Sequence, residues 1–553
     1  MNNKTYDAVV VGSGAAGSFA VKELTERGLE VLLLEAGRNI TEDDFKQQPK
    51  PKAKGIGVVP RVKAALKGQP IQARVAFFDE QFSPFFVNDW DNPYTTPPGE
   101  FYLWIRGRQL GGRLHTFGRM LLRMTDYDFK AAGRDGVGED WPITHNDLAP
   151  YYAQIEQFMG VYGDQDGVKN LPGGPYPGKP KLTSAEQQFK ATVEARWPDR
   201  RVISWRYAGP NLKRVPRPIL AAKETGRLTI RTDAVVSRLT VDESTGKVIG
   251  AEFIDRLTKK KETVSARIFV VCASTVESVR LMLNSACAKH PNGMGNSSGM
   301  LGRYFIDQTS TLTFGSIPQF KGFELDNSAP PDPFYAPSGG IYIPRFQNLD
   351  ATTHPAFKRG FAFQGAMGRH FAPEDAPTGF GIMSFGETLP SFENCVTINP
   401  RRKDAWGIPI PHIRCAIGGN ERTMIREQLR TVREIMDSVG ATIDFSGSPF
   451  GLEDEKNALP EANWLSRYIF RKSFKKSLAV GAAIHECGGA RMGSDPAKSV
   501  LNSFNQCWDA GNLFVTDGSS FPSCGTVGPA LTIMALTARA CEHIAKEYKD
   551  GRL

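Results

Sequence analysis

An α/β fold carrying an inserted α+β unit is what this sequence predicts, and three observations predict it. Residues 6–38 read as strand, Gly-rich turn, helix and second strand. The stretch from 478 onward returns to alternating strand and helix. Between the two ends, residues 305–420 are rich in β-branched and aromatic residues broken by turn signals, the pattern of an antiparallel sheet.

The N-terminal element carries the most information. The apolar strand Ala8-Val9-Val10-Val11 runs into Gly12-Ser13-Gly14-Ala15-Ala16-Gly17, and the second strand ends at Glu35-Ala36. This is the pattern of a Rossmann-like dinucleotide-binding βαβ unit. Gly12 permits the tight turn, Gly14 lets the backbone approach a pyrophosphate, and Gly17 lets helix and strand pack closely. The helix N-terminus at Ala15 and Ala16 offers free N–H groups and a partial positive charge. Glu35 is placed to accept hydrogen bonds from a ribose diol, with Ala36 beside it. The unit specifies a dinucleotide without choosing between NAD and FAD.

Farther along the chain, residues 40–100 are rich in Pro, Lys and Phe with little periodicity, and the lysines at 46, 50, 52, 54, 63 and 67 read as a loop or excursion. Residues 135–160 predict a turn into a helix with Asn146 or Asp147 as N-cap. Residues 226–256 alternate as paired strands around a turn at Ser244-Thr245-Gly246, 267–283 predict a buried strand and helix, and 420–440 a charged amphipathic helix. The expected division is a nucleotide-binding domain over 1–130, 225–305 and 478–553, and a substrate domain over 131–224 and 306–477.

Bulk composition sets limits on this reading. The 553 residues suffice for two domains, and 41% apolar with 23% charged content is ordinary for a globular protein. The net charge of +9 comes with no nucleic-acid motif. Eight scattered cysteines with no C-x-x-C spacing predict free thiols, no metal site and a reducing, cytoplasmic setting, with export alongside a partner left open. No apolar run is long enough to span a bilayer.

Five stretches together resemble the glucose–methanol–choline (GMC) type flavoprotein oxidoreductases, in particular bacterial sugar and glycoside dehydrogenases and pyranose-oxidase-like members. They are GSGAAG with Glu35, GRQLGGRLHTFGR at 107–119, DWPITHNDLAPYY at 140–152, VVCASTVESVRLMLNS at 270–285, and HECGGARMG with NLFVTDGSSFPSCGTVGPALTIMALTARA within 485–540. The resemblance implies that the dinucleotide is FAD. It implies that Asp517-Gly518 meets the phosphate or ribityl region, that Val235 meets the adenine, and that Gly111 and Gly112 pass close to the flavin. Arg108, Thr116, Ala273, Ser274 and Pro529 complete the implied contacts. Some relatives link FAD covalently through a histidine; the matching position here is Thr116, with His115 one residue earlier, so a non-covalent cofactor is expected.

The resemblance also implies the chemistry: a hydroxyl of a sugar or glycoside is oxidised to a carbonyl, with a hydride passing to flavin N5 and a histidine taking the hydroxyl proton. That histidine is His485. The family's second catalytic position is normally His or Asn and here is Gly528. Another residue such as His412, a water, or the substrate's own hydroxyl would have to fill the gap. Oxidation of a non-sugar alcohol, or a flavin-binding subunit with weakened catalysis, are the alternatives. Reoxidation would fall to oxygen, a quinone or a separate cytochrome, and the family implies a possible small helper subunit. The segment 464–477 reads as an ordinary surface helix, or as a basic amphipathic helix that docks a partner or an anionic membrane.

Overall fold

The computed structural model describes residues 6–46, 58–76, 78–325, 328, 332, 334–335, 339–350, 353–369, 372–453, 463–474 and 477–553. Two seven-stranded sheets organise the chain. In the first, Tyr6–Val11 lies between Val31–Leu34 and Lys261–Val271, all parallel, with Ala8 opposite Val31 on one side and Ile268 on the other. Leu228–Arg231 extends the sheet beside Val31–Leu34, and Leu513–Val515 joins in parallel at Phe269–Val271. Ala234–Val241 and Val248–Asp255 add an antiparallel meander.

Burial on both faces explains the continuous apolar runs of the central strands. Val9, Val11, Leu32 and Leu34 enter one core, while Ala8, Val10, Val31 and Leu33 enter the other. The helix Ala15–Glu26 covers the second core with Ala16, Ala20, Val21 and Leu24, and the C-terminal helix Ala530–Lys549 contributes Cys541, Ile544 and Ala545. Segments from both chain ends therefore close one layer.

The second sheet is antiparallel throughout and holds strands from Ile203–Ser204 to Gly451–Glu453. Its centre is Thr309–Lys321 paired with Pro377–Gly386. The helix Gly419–Ser438 buries Met424, Val432, Ile435 and Met436 against Phe363, Phe380 and Ile382 of this sheet.

Three local readings are corrected. The helix His145–Met159 is capped by Thr144, not by Asn146 or Asp147. Asp147 is the reciprocal partner, accepting from the Thr144 amide at 2.7 Å and its hydroxyl at 2.8 Å. Lys63 stands on a helix, Val58–Leu66, rather than in a loop. Pro60 falls in its first turn, where a missing N–H costs nothing, and Arg61 and Ala64 anchor it. Lys50, Lys52 and Lys54 lie outside the described residues. The helix Arg217–Glu224 sits with the first sheet, because Ile219 and Ala222 share the core of Ala15–Glu26.

Candidate functional site

The Gly-rich turn has the geometry of a dinucleotide cradle. Gly12 has φ +94°, and a Cβ there would lie 2.4 Å from the Cys272 carbonyl oxygen; a Cβ at Gly17 would lie 1.8 Å from the Gly12 carbonyl oxygen. Both positions exclude side chains because the protein's own backbone is in the way. Gly14 differs: a Cβ there meets nothing within 4 Å. It faces open space at the N-terminus of Ala15–Glu26, where no side chain caps the free N–H groups.

The loop 107–119 closes over this turn. Gly111 donates its N–H to Ser13 Oγ at 2.9 Å, and a Cβ at Gly112 would lie 3.2 Å from Gly14 Cα. Glu35 ends the second strand fully buried; its Oε1 accepts from Gly37 N at 2.8 Å and its Oε2 from the Ser13 amide and hydroxyl. Burial raises its pKa, and hydrogen bonds from Ser13 and Gly37 and the Arg108 charge oppose that rise. Arg108 pairs with Glu277 at 3.1 Å, while its Nη1 is buried with no hydrogen-bond partner. Ala36 packs with Val235 in a small cluster that includes Trp406. These features fit a dinucleotide: an orphaned buried donor, an uncapped helix start and an open glycine face converge beside an acidic strand end.

Farther in, Ser274 holds φ +80° ahead of the helix Thr275–Asn284, next to Ala273. Asp517 Oδ1 accepts from Ser519 N at 3.0 Å, and its Oδ2 accepts from the Ser278 hydroxyl. A Cβ at Gly518 would approach Thr275 Oγ1 to 2.8 Å. Arg113 ties the segments together, donating to Glu486 at 3.0 Å and to Ser274 Oγ at 3.2 Å. Thr116 bonds only its own turn, its hydroxyl 3.4 Å from the Arg113 carbonyl oxygen. His115 is buried against Phe45 and Phe85, with Nε2 2.8 Å from the Leu110 carbonyl oxygen.

His485 lies against Asp307 and Gln308, the two residues that lead into the central strand Thr309–Lys321 of the second sheet. Its backbone N–H donates to Asp307 Oδ1 at 3.1 Å, and its Nδ1 lies 2.6 Å from Gln308 Oε1. The Gln308 amide nitrogen faces the Gly525 and Val527 carbonyl oxygens at 2.8 and 3.0 Å. Carbonyls only accept, so Gln308 presents its oxygen to His485 and Nδ1 is the protonated nitrogen. Nε2 is left with a lone pair. Burial, and then the Arg113 guanidinium, push the imidazole pKa down to about 3, so the ring is neutral. Nε2 faces Gly528: a Cβ there would lie 3.4 Å from it. Pro529 follows as the N-cap of Ala530–Lys549.

His412 does not take the place of the missing side chain. It is held on the hairpin of Cys395–Lys403 and Pro409–Arg414, its Nδ1 2.9 Å from Thr95 Oγ1. Arg491 stacks on Tyr304 at 3.8 Å, and Trp141 packs between Phe129 and Phe521.

Sequence reasoning missed Asp307 and Gln308. Asp307 is buried, and burial with the Glu486 charge raises its pKa to about 8; Tyr102 OH donates to its Oδ2 at 3.1 Å. Both residues also border a small cleft, with Ser310, Thr388 and Asn394. No periodicity marks the pair; only the polar Asp-Gln step after the apolar Phe305-Ile306 sets it apart. Among the described residues, no cluster of three or more His, Cys, Asp or Glu is arranged to hold a metal ion.

A two-sheet α/β chain with this cradle and a neutral histidine beside it is a nucleotide-binding oxidoreductase in architecture. The family models described as GMC oxidoreductase match residues 217–309 and 390–537. The chain is 26% identical to a 2-methyl-1,2-propanediol dehydrogenase of Mycolicibacterium austroafricanum, over 98% of this chain and 96% of that protein. It is 24% identical to the fructose dehydrogenase large subunit of Gluconobacter japonicus, over all of both. A formate oxidase structure from Aspergillus oryzae RIB40 superposes with TM-score 0.64 at 15% identity, covering both chains fully. The chain belongs to the GMC oxidoreductase family, and is an FAD-dependent oxidoreductase acting on CH–OH groups.

Proposed function

We propose that this protein oxidises a hydroxyl of a sugar or glycoside to a carbonyl, with His485 as the base. One observation carries the proposal: the unprotonated Nε2 of a neutral His485 faces space that Gly528 leaves free of side chain. A substrate hydroxyl there would give its proton to Nε2 while Gln308 holds the opposite ring edge. Bound FAD supplies the acceptor for the electron pair leaving the carbon, at its N5. The space beside Gly528 suits a polyhydroxylated substrate, whose neighbouring hydroxyl can supply the hydrogen bond that Asn or His gives elsewhere. The likeness to a fructose dehydrogenase subunit supports a sugar. The likeness to a propanediol dehydrogenase favours a second reading, a small non-sugar diol with the same chemistry.

Cofactor contacts are proposed at Gly14, Ala15, Ala16, Glu35, Arg108, Gly112, Val235, Ser274 and Asp517. The flavin is proposed to be non-covalent, since Thr116 carries no ring nitrogen and His115 is sequestered against Leu110. Acid precipitation tests this, with yellow colour expected in the supernatant. Oxygen, a quinone or a separate cytochrome is the proposed acceptor.

The main test is anaerobic mixing of the holoenzyme with candidate sugars and diols while the flavin absorbance is followed. Bleaching by a sugar, and its loss in a flavin-loaded His485→Ala variant, are expected. Near-normal bleaching in that variant overturns the assignment of the base. Bleaching by diols alone overturns the sugar.

A further inference from the structure

The helices Val58–Leu66 and Trp464–Phe474 touch one another and bury their inner faces in one core, through Ala64 on the first and Phe470 and Phe474 on the second. At 100° per residue, Val59, Val62 and Leu66 lie opposite Ala64 and Arg61, and Trp464, Leu465 and Tyr468 lie opposite Phe470. An ordinary surface helix presents polar residues there. Here the outward residues are apolar and open to solvent: Val59 is 77% exposed, Leu66 76% and Trp464 78%, with Val62, Leu465 and Tyr468 about half exposed. Six large apolar side chains on two adjoining short helices make a patch, not the scattered exposure that needs no explanation.

The charge carried by the two helices has one sign. Neither helix contains an acidic residue, while Lys63, Arg467, Arg471 and Lys472 lie within them and Lys67 follows the first; Arg61 turns inward, donating to the Ala73, Val75 and Ala76 carbonyl oxygens. Lys67 and Lys472 are exposed, and Lys472 sits 5.7 Å from the Tyr468 ring. Lys63 pairs with Glu80 at 2.6 Å.

We propose that this helix pair is a docking face for an anionic lipid bilayer. Trp, Leu and Val side chains would enter the headgroup boundary, Tyr468 and Trp464 would keep their polar tips at its wet edge, and the lysines would meet lipid phosphates. The interleaving of cations with apolar side chains along both helices is what selects lipid over a protein groove. No helix of the described residues is long and apolar enough to cross a membrane, so the attachment is peripheral. Neither helix carries His485 or a residue of the cofactor cradle, so the proposal does not depend on the identity of the substrate or the base.

The test is co-sedimentation of the flavin-loaded full chain with vesicles of phosphatidylcholine alone and of phosphatidylcholine with phosphatidylglycerol. Binding to the anionic vesicles is expected to exceed binding to the neutral ones by about tenfold or more and to weaken as salt rises. Two variants, Val59→Ser with Leu66→Ser, and Trp464→Ser with Leu465→Ser, should each cut binding by about tenfold. Flavin content, melting temperature and turnover should be unchanged, since these side chains already face water. Lys472→Glu should lower binding to anionic vesicles alone. The proposal is overturned if anionic vesicles retain no protein, if neutral vesicles bind equally, if the serine variants bind as well as the parent, or if light scattering shows the patch closing a dimer that ignores vesicles.

Discussion

Gln308 Oε1 lies 2.6 Å from His485 Nδ1, and this contact decides which imidazole nitrogen faces the site. Without Gln308 the proton loses the acceptor that holds it on Nδ1. Gln308→Leu should lower kcat about 10–100-fold, the range of one lost hydrogen bond of about 1–3 kcal/mol, with flavin content unchanged. Gln308→Glu gives the sharper readout. Protonated, it keeps an oxygen toward His485 and a donor toward the Gly525 carbonyl oxygen. Ionised, it sets a carboxylate against that carbonyl. Its activity should approach the parent's at low pH and fall as pH rises, whereas a purely structural role would leave the pH profile unmoved.

Asp307 gives the protein a pH-dependent weakness. Its pKa is raised to about 8 by burial and by Glu486, against an unfolded value near 3.8. Between those values the folded state holds a proton that the unfolded state has lost. Stability from this group is therefore fully present below about pH 4 and is lost as pH rises through about 8. His485 acts in the opposite sense: with a folded pKa of about 3, it costs stability as pH falls below the ordinary histidine value. Asp307→Asn keeps Oδ1 for the Gln308 and His485 amides and turns Nδ2 toward Tyr102 OH. Its melting temperature should stay nearly level from pH 6 to 9, where the parent's declines by several degrees. Parallel declines in calorimetry would refute the assignment.

Gly528 is open to substitution. Its φ lies outside the left-handed region, and an added methyl would touch His485 Nε2 and Cε1 at 3.4 and 3.6 Å. Gly528→Ala should therefore fold with an unchanged or slightly higher melting temperature, since the unfolded chain loses freedom worth about 0.4–1 kcal/mol. The methyl would occupy the space proposed for substrate, so kcat/KM should drop about tenfold or more. Unchanged kinetics would place the substrate elsewhere.

The parts of the molecule legible in the sequence are those governed by local rules. Val9 and Val11 face one core and Ala8 and Val10 the other because strand side chains alternate, and the fold class follows from that pattern. At the start of His145–Met159 the sequence offers Thr144, Asn146 and Asp147 as caps alike, and only reciprocal bonding picks Thr144. Gln308 was invisible for a different reason. Its role depends on three carbonyls at 524–527 and on a histidine far along the chain, and no spacing rule connects them. Val58–Leu66 hid behind Pro60 and its outward apolar face, which break the usual helical pattern.

The three glycines of the first turn separate folding from cofactor binding. Gly17 is required by the chain itself, since a Cβ would fall 1.8 Å from the Gly12 carbonyl oxygen with no flexible group to yield. Gly17→Ala should cost about 4 kcal/mol or more and give little soluble protein. Gly14 has a negative φ, and its Cβ would meet nothing within 4 Å, so Gly14→Ala is harmless to the protein's own packing. Its apoprotein should melt at the parent's temperature. If Gly14 instead faces the pyrophosphate, the methyl would hold that group away from the N–H groups of Ala15 and Ala16, and FAD affinity should fall about 10–100-fold, or about 1.4–2.8 kcal/mol. Titration of apoprotein with FAD by flavin fluorescence measures this directly. Equal affinity in parent and Gly14→Ala would move the pyrophosphate off this turn, while a lower melting temperature of the apoprotein would assign Gly14 to packing.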